Sequence, residues 1–130
     1  MEKLRFTGFW LIVGFLLVAF VVFVSLIRIP PQVGALTPSD KLCHALAYFC
    51  LTFWFIQIYR QNRVRLAIGL AFVMMGIGLE CLQGLTGYRS FEYADMAANT
   101  AGVACGLIAA QTPLARTLLA VERYIDRIVR

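Results

Sequence analysis

Read from the N-terminus, the chain alternates long apolar runs with short polar breaks. Residues 6–27 carry no charge between Arg5 and Arg28, a run longer than the roughly 20 residues an α-helix needs to cross a bilayer core. A second run, 42–59, lies uncharged between Lys41 and Arg60, with Ser39 placed to cap its start. A third begins near Leu66 and reaches Leu85, broken by Glu80, and a fourth runs from about Tyr93 to Gln111. The pattern predicts an all-α protein: a four-transmembrane-helix bundle with spans at about 6–28, 39–59, 65–85 and 94–111 in a single domain over 1–130. Beyond Pro113, Leu114, Leu118, Val121, Ile125 and Ile128 repeat at alternating steps of four and three, with Arg116, Arg123, Arg127 and Arg130 on another face. Such a segment, about 114–129, is expected to be a C-terminal amphipathic helix lying at the membrane interface. Pro30 and Pro31 are expected to stop the first helix, and Gly34 and Pro38 to shape the loop after it.

The first run also invites a signal-peptide reading, since Lys3 and Arg5 precede it. It is too long for an h-region, and Ser25-Leu26-Ile27-Arg28 is a poor cleavage site, so an uncleaved helix is expected. Hydrophobic residues make up 61% of the 130-residue chain and charged residues only 15%, with a mean hydropathy of +0.78. A soluble domain could not hide that much apolar surface. The net charge of +5 comes from bases at the edges of apolar runs, which argues against a nucleic-acid partner and for topology signals. Lys3 and Arg5, then Arg60, Arg63 and Arg65, then the tail arginines mark three cytoplasmic segments, so both termini are expected in the cytoplasm. Cys43, Cys50, Cys81 and Cys105 show no metal or redox spacing and read as small buried hydrophobes.

With this topology three helices carry polar groups to one depth near the outer surface. Asp40, His44 and Tyr48, four residues apart, form one stripe on the second helix. Glu80 and Gln83 lie near the outer end of the third, and Asp95 and Asn99 begin the fourth. A charge near lipid costs on the order of 3 kcal/mol or more, so such residues face the bundle interior and mark function. Glu80 could alternatively pair with Arg89, Lys41 or His44 as a structural carboxylate, and the amides of Gln83 and Asn99 could simply bridge helices. His44, Glu80 and Asp95 are the candidate catalytic residues, because imidazole and desolvated carboxyl groups can exchange protons near neutral pH. Asp40, Lys41, Tyr48, Gln83, Arg89 and Asn99 are the candidate substrate-binding residues, with Lys41 and Arg89 suited to an anionic lipid headgroup. His44, Glu80 and Asp95 have the ligand types for a divalent ion, but no compact metal motif exists, and no metal or cofactor is assigned. Gly102 and Gly106 form a G-x-x-x-G among alanines, expected to pack within the monomer, with the Gly76 and Gly78 side of the third helix as its neighbour.

The ordered set Asp40-Lys41-x-x-His44 with Tyr48, Glu80-x-x-Gln83, Arg89, and Asp95-x-x-x-Asn99-Thr100-x-Gly102-x-x-x-Gly106 resembles the VanZ-like family of small bacterial membrane proteins. The resemblance covers the second to fourth helices, about half the chain. It implies a multi-pass protein of the bacterial cytoplasmic (inner) membrane, in a family named for low-level teicoplanin resistance. The function expected is binding or modification of a lipid or lipid-linked cell-envelope substrate at the outer face. A non-enzymatic binding or assembly protein, supporting envelope biogenesis or antibiotic tolerance, is the alternative. Neither Ser39 nor Ser90 has a nucleophile context, and four spans without an inverted repeat give a transporter little pathway.

Overall fold

The computed structural model describes residues 3–28 and 39–130, and every regular element among them is helical. The Pro30-Pro31 stop and the loop holding Gly34 and Pro38 lie outside the described residues. Helix α1 spans Thr7–Leu26, α2 Asp40–Ile58, α3 Asn62–Leu85 and α4 Tyr93–Ala109. A 3-10 turn, Pro113–Arg116, leads into α5, Thr117–Val129. Ser39 does cap α2, its Oγ accepting from Leu42 N at 3.3 Å. Helix α3 takes in Asn62, Arg63 and Val64 as its first turn, ahead of the expected start near 65. Arg65 permits the tight reversal: its Nε donates to Ile56 O (3.0 Å) and Tyr59 O (2.8 Å), and its Nη1 to Ala110 O (3.4 Å). One guanidinium thus satisfies orphan carbonyls at the C-terminal ends of both α2 and α4, where the helix dipole favours a cation.

Helices α1, α2 and α3 are each long and apolar enough to cross a membrane, and α4 with the segment after it makes a fourth if that pair, bent by 76°, is one span. At about 1.5 Å per residue, the 20 residues of α1 reach about 30 Å, the thickness of a bilayer's hydrocarbon core. Phe9, Ile12, Leu16, Phe20 and Phe23 of α1 and Leu70 and Met74 of α3 are exposed, an apolar jacket that water would not tolerate.

The most extensive helix pair is α2 with α4, not α3 with α4. The reason is the G-x-x-x-G: a Cβ on Gly102 would lie 2.2 Å from Ala45 O, and one on Gly106 2.7 Å from Thr52 Cβ. Two hydrogen atoms in place of methyl groups let the α4 backbone rest directly on α2. Helix α3 is a neighbour of α4, as expected, but it meets α4 away from the G-x-x-x-G, at Gly69 beside Leu107 and at Gly76 beside Asn99. Tyr48, Leu51, Phe55, Phe72 and Val103 form the buried core. The cysteines are not part of it: Cys50, Cys81 and Cys105 are exposed and Cys43 is half-buried, so these thiols lie on the apolar exterior.

Helix α5 does not merely lie beside the bundle. Glu122, 4% exposed, accepts from Arg5 N (2.7 Å), Phe6 N (2.9 Å) and Trp10 Nε1 (2.7 Å). A carboxylate at the start of α1 satisfies donors the helix itself leaves open and meets its positive end. Gln57 Oε1 adds a bond from Leu118 N at 3.0 Å. The start of α1 and the C-terminal helix therefore sit at one end of the molecule. All the lysines and arginines except Arg28, Lys41 and Arg89 belong to segments at that end.

Candidate functional site

The opposite end is narrowly acidic, with Asp40, Glu80, Glu92 and Asp95 against Arg28, Lys41 and Arg89. It is built where the N-termini of α2 and α4 meet the C-terminal part of α3. Asp40 lies in the first turn of α2 and Asp95 in the first turn of α4, both at positive helix ends that favour carboxylates. Lys41 Nζ pairs with Asp95 Oδ1 at 2.8 Å and with Glu92 Oε2. Through the Lys41 hydrogen bond and charge, the Glu92 carboxyl is held below the usual carboxylate range. Two carboxylates of the chain thus already neutralise Lys41, the residue expected to grip an anion. Arg89, half-buried in the α3–α4 loop, forms no ion pair with the other candidate residues.

His44 is half-buried at the centre. Its Nδ1–H donates to Asn99 Oδ1 at 2.9 Å, which leaves Nε2 of the neutral ring as an acceptor. Nε2 stands 3.8 Å from Asp40 Oδ2 and 3.8 Å from Asp95 Oδ2, too far for direct hydrogen bonds. The acceptor atoms of Asp40, His44 and Asp95 lie within 4.8 Å of one another. One donor atom placed between them would be within hydrogen-bonding reach of all three. The same three residues have the chemistry to hold a divalent cation, but Asp95 would then have to share its charge with the Lys41 ammonium.

Of the partners open to Glu80 in the sequence, Arg89, Lys41 and His44, none is taken: among the described residues the carboxylate makes no hydrogen bond or ion pair with them. Glu80 is 1% exposed, and its Oε1 accepts from Glu92 N at 2.8 Å, the first N–H of the α4 entry. Its Oε2 is buried without a hydrogen-bond partner among the described residues. Glu80 thus fixes the loop that carries Lys41's partner. Gln83 is turned elsewhere, with Nε2 donating to Ser25 O at 2.7 Å, while Tyr88 Oη donates to Leu26 O at 2.6 Å. These two close the C-terminal end of α1, the amide-bridge alternative foreseen for Gln83. Tyr48 is buried beside Asn99 across Gly76: a Cβ at Gly76 would meet Asn99 Nδ2 at 3.1 Å and Tyr48 Cε1 at 3.3 Å.

Sequence reasoning overlooked Glu92 and read Gly76 only as part of a small-residue helix surface. Glu92 reads as one more loop charge, although its place directly before an α4 that opens on Tyr93-Ala94-Asp95 marks a helix entry. Gly76 has no chemical signal, since its role is the room it leaves for Asn99.

No known protein-family profile matches the chain. An uncharacterized protein of the fission yeast Schizosaccharomyces pombe is 33% identical over 73 residues, which make up 54% of this chain and 45% of the yeast protein. The match thus spans less than half of that relative's length. No solved structure matches significantly.

Proposed function

We propose that this chain is a four-span membrane protein that binds a lipid or lipid-linked substrate through a hydrogen-bond-donating headgroup. The acidic end would hold that group, with Asp40, His44 and Asp95 as its acceptors. The observation that carries the reading is their convergence: a ring nitrogen and two carboxylates aimed at one gap, on helices whose outer faces are suited to lipid. A hydroxyl or amine fills such a gap; a bare phosphate there would face the carboxylates of Asp40 and Asp95, with the Lys41 ammonium already paired to Asp95 and Glu92. His44 Nε2 is the acceptor for a proton from the bound group, Asn99 holds the ring in the required tautomer, and Glu80 keeps the α4 entry in place.

The charge asymmetry between the two ends supports an orientation with the basic end cytoplasmic and the site facing outward. The VanZ-like resemblance supports a bacterial cytoplasmic membrane and an envelope-related substrate. Similarity to a yeast protein favours a ligand class common to many membranes over a wall precursor confined to bacteria. A non-enzymatic binding or assembly role uses the same gap without proton transfer.

The test is lipid enrichment in nanodiscs containing phosphatidylethanolamine, which has an amine donor, and phosphatidylcholine, which has none. The wild type should retain the first over the second, and His44→Gln and Asp95→Asn should each abolish the preference at unchanged protein abundance. If both variants keep the wild-type preference, the reading fails. A headgroup product of altered mass, lost in His44→Ala and Glu80→Gln, would select the enzyme; unaltered retained lipid would select the binding protein.

A further inference from the structure

The basic end contains a cavity of about 590 Å³, within the range of sites that take small ligands. It opens between the α2–α3 reversal, the segment before α1 and the 3-10 turn. Its lining includes the cations Lys3, Arg60 and Arg116 and the aliphatic side chains Ile58, Val64 and Leu119. Among the described residues no carboxylate lines it. Gln61 and Val64, at the start of α3, also border the space, and no side chain caps that helix. The first-turn N–H groups of a 24-residue helix therefore add a positive end to three cationic side chains.

Tyr59 and Arg60, where the apolar run of α2 gives way to charge, mark the level of a membrane interface. A cavity there lined by both cations and aliphatic side chains matches one chemistry: a phosphate with a hydrocarbon tail attached. We infer that this cavity is a binding site for an anionic phospholipid of the leaflet at the basic end, with its phosphodiester among Lys3, Arg60 and Arg116 and the start of an acyl chain against Ile58, Val64 and Leu119. This site is separate from the acidic cluster, lies at the other end of the bundle and selects for negative charge, not for a headgroup donor.

Native mass spectrometry of the full chain released from mixed nanodiscs tests it. Phosphatidylmethanol is anionic but has no hydrogen-bond donor, so the acidic cluster gives it no advantage over phosphatidylcholine. The wild type should retain phosphatidylmethanol preferentially. Arg60→Gln and Arg116→Gln should each reduce that preference about fivefold, the effect of one interfacial charge. Arg127→Gln, on α5 and outside the cavity, should leave it unchanged. Excess inorganic phosphate should not displace the lipid. Equal retention of the two lipids by the wild type would overturn the site whether or not any variant folds. An undiminished preference in the Arg60 and Arg116 variants would overturn its location. Displacement by phosphate would replace the lipid with a free anion.

Discussion

At the scale of single residues, the same amino acid does opposite things according to what stands opposite it. Gly102 and Gly78 are both helical glycines, yet a Cβ on Gly102 runs into the Ala45 carbonyl, a backbone atom that cannot swing aside, while one on Gly78 meets nothing within 4 Å. Gly102→Ala should therefore force α4 from α2 and destabilise the protein by about 1–3 kcal/mol. Gly78→Ala should be neutral or stabilising by up to about 1 kcal/mol, from helix propensity alone. Thermal unfolding of the two variants in one detergent checks the contrast, and equal losses would contradict the close α2–α4 approach. The sequence shows both glycines but not which has a backbone against it. For the same reason the G-x-x-x-G was legible as a contact surface while its partner was not: α2 offers no small-residue signature, because its carbonyls supply the contact. Residue chemistry was readable where a polar group interrupts an apolar run, as at His44, Glu80 and Asp95. Whether such groups touch depends on rotamers and on loop geometry, which put Asn99 on His44 and sent Glu80 to the Glu92 backbone.

Among the elements, α5 is the one whose role changed most. Its spacing describes an amphipathic helix, and Val121, Ile125 and Ile128 do remain exposed on its apolar stripe. The period of a stripe says nothing about a buried acid on the neighbouring face, and Glu122 is what fastens α5 to the start of α1. Glu122→Ala would leave two backbone N–H groups and the Trp10 indole without their acceptor, a loss of about 1–3 kcal/mol for each group that stays buried. Hydrogen exchange should then accelerate at the Arg5 and Phe6 amides and through α5, with the α2–α4 contact around Ala45 and Gly102 unaffected. Unchanged protection at Arg5 and Phe6 would show that the carboxylate does not cap α1. Helix positions were otherwise legible because charge-free runs bounded by bases allow few alternatives, and the earlier start of α3 comes with Arg65 capping two other helices from near its N-terminus, while the C-terminal helix starts later, at Thr117, because a 3-10 turn occupies Pro113–Arg116.

For the whole molecule, charge is divided between two ends and apolar surface lies between them. The basic end gathers the described N-terminal segment, the α2–α3 reversal and the C-terminal helix; the other end gathers Asp40, Glu80, Glu92 and Asp95 with only Arg28, Lys41 and Arg89 as bases. On the four-span topology proposed above, reporters fused before α1 and after Arg130 should both lie in the cytoplasm, and a reporter after Arg130 active only outside it would overturn the orientation. The central claim, that the acidic end accepts a donor-bearing headgroup at His44, has a direct probe because His44 is the sole histidine of the chain. Selective ¹⁵N-histidine labelling in phosphatidylcholine nanodiscs gives an unambiguous imidazole spectrum, and phosphatidylethanolamine can be titrated into it. The account predicts that the Nε2 resonance shifts as the amine enters the gap, while Nδ1, bonded to Asn99, stays in place, and that Asp95→Asn removes the response. An Nε2 resonance indifferent to the added headgroup in the folded wild type would contradict it.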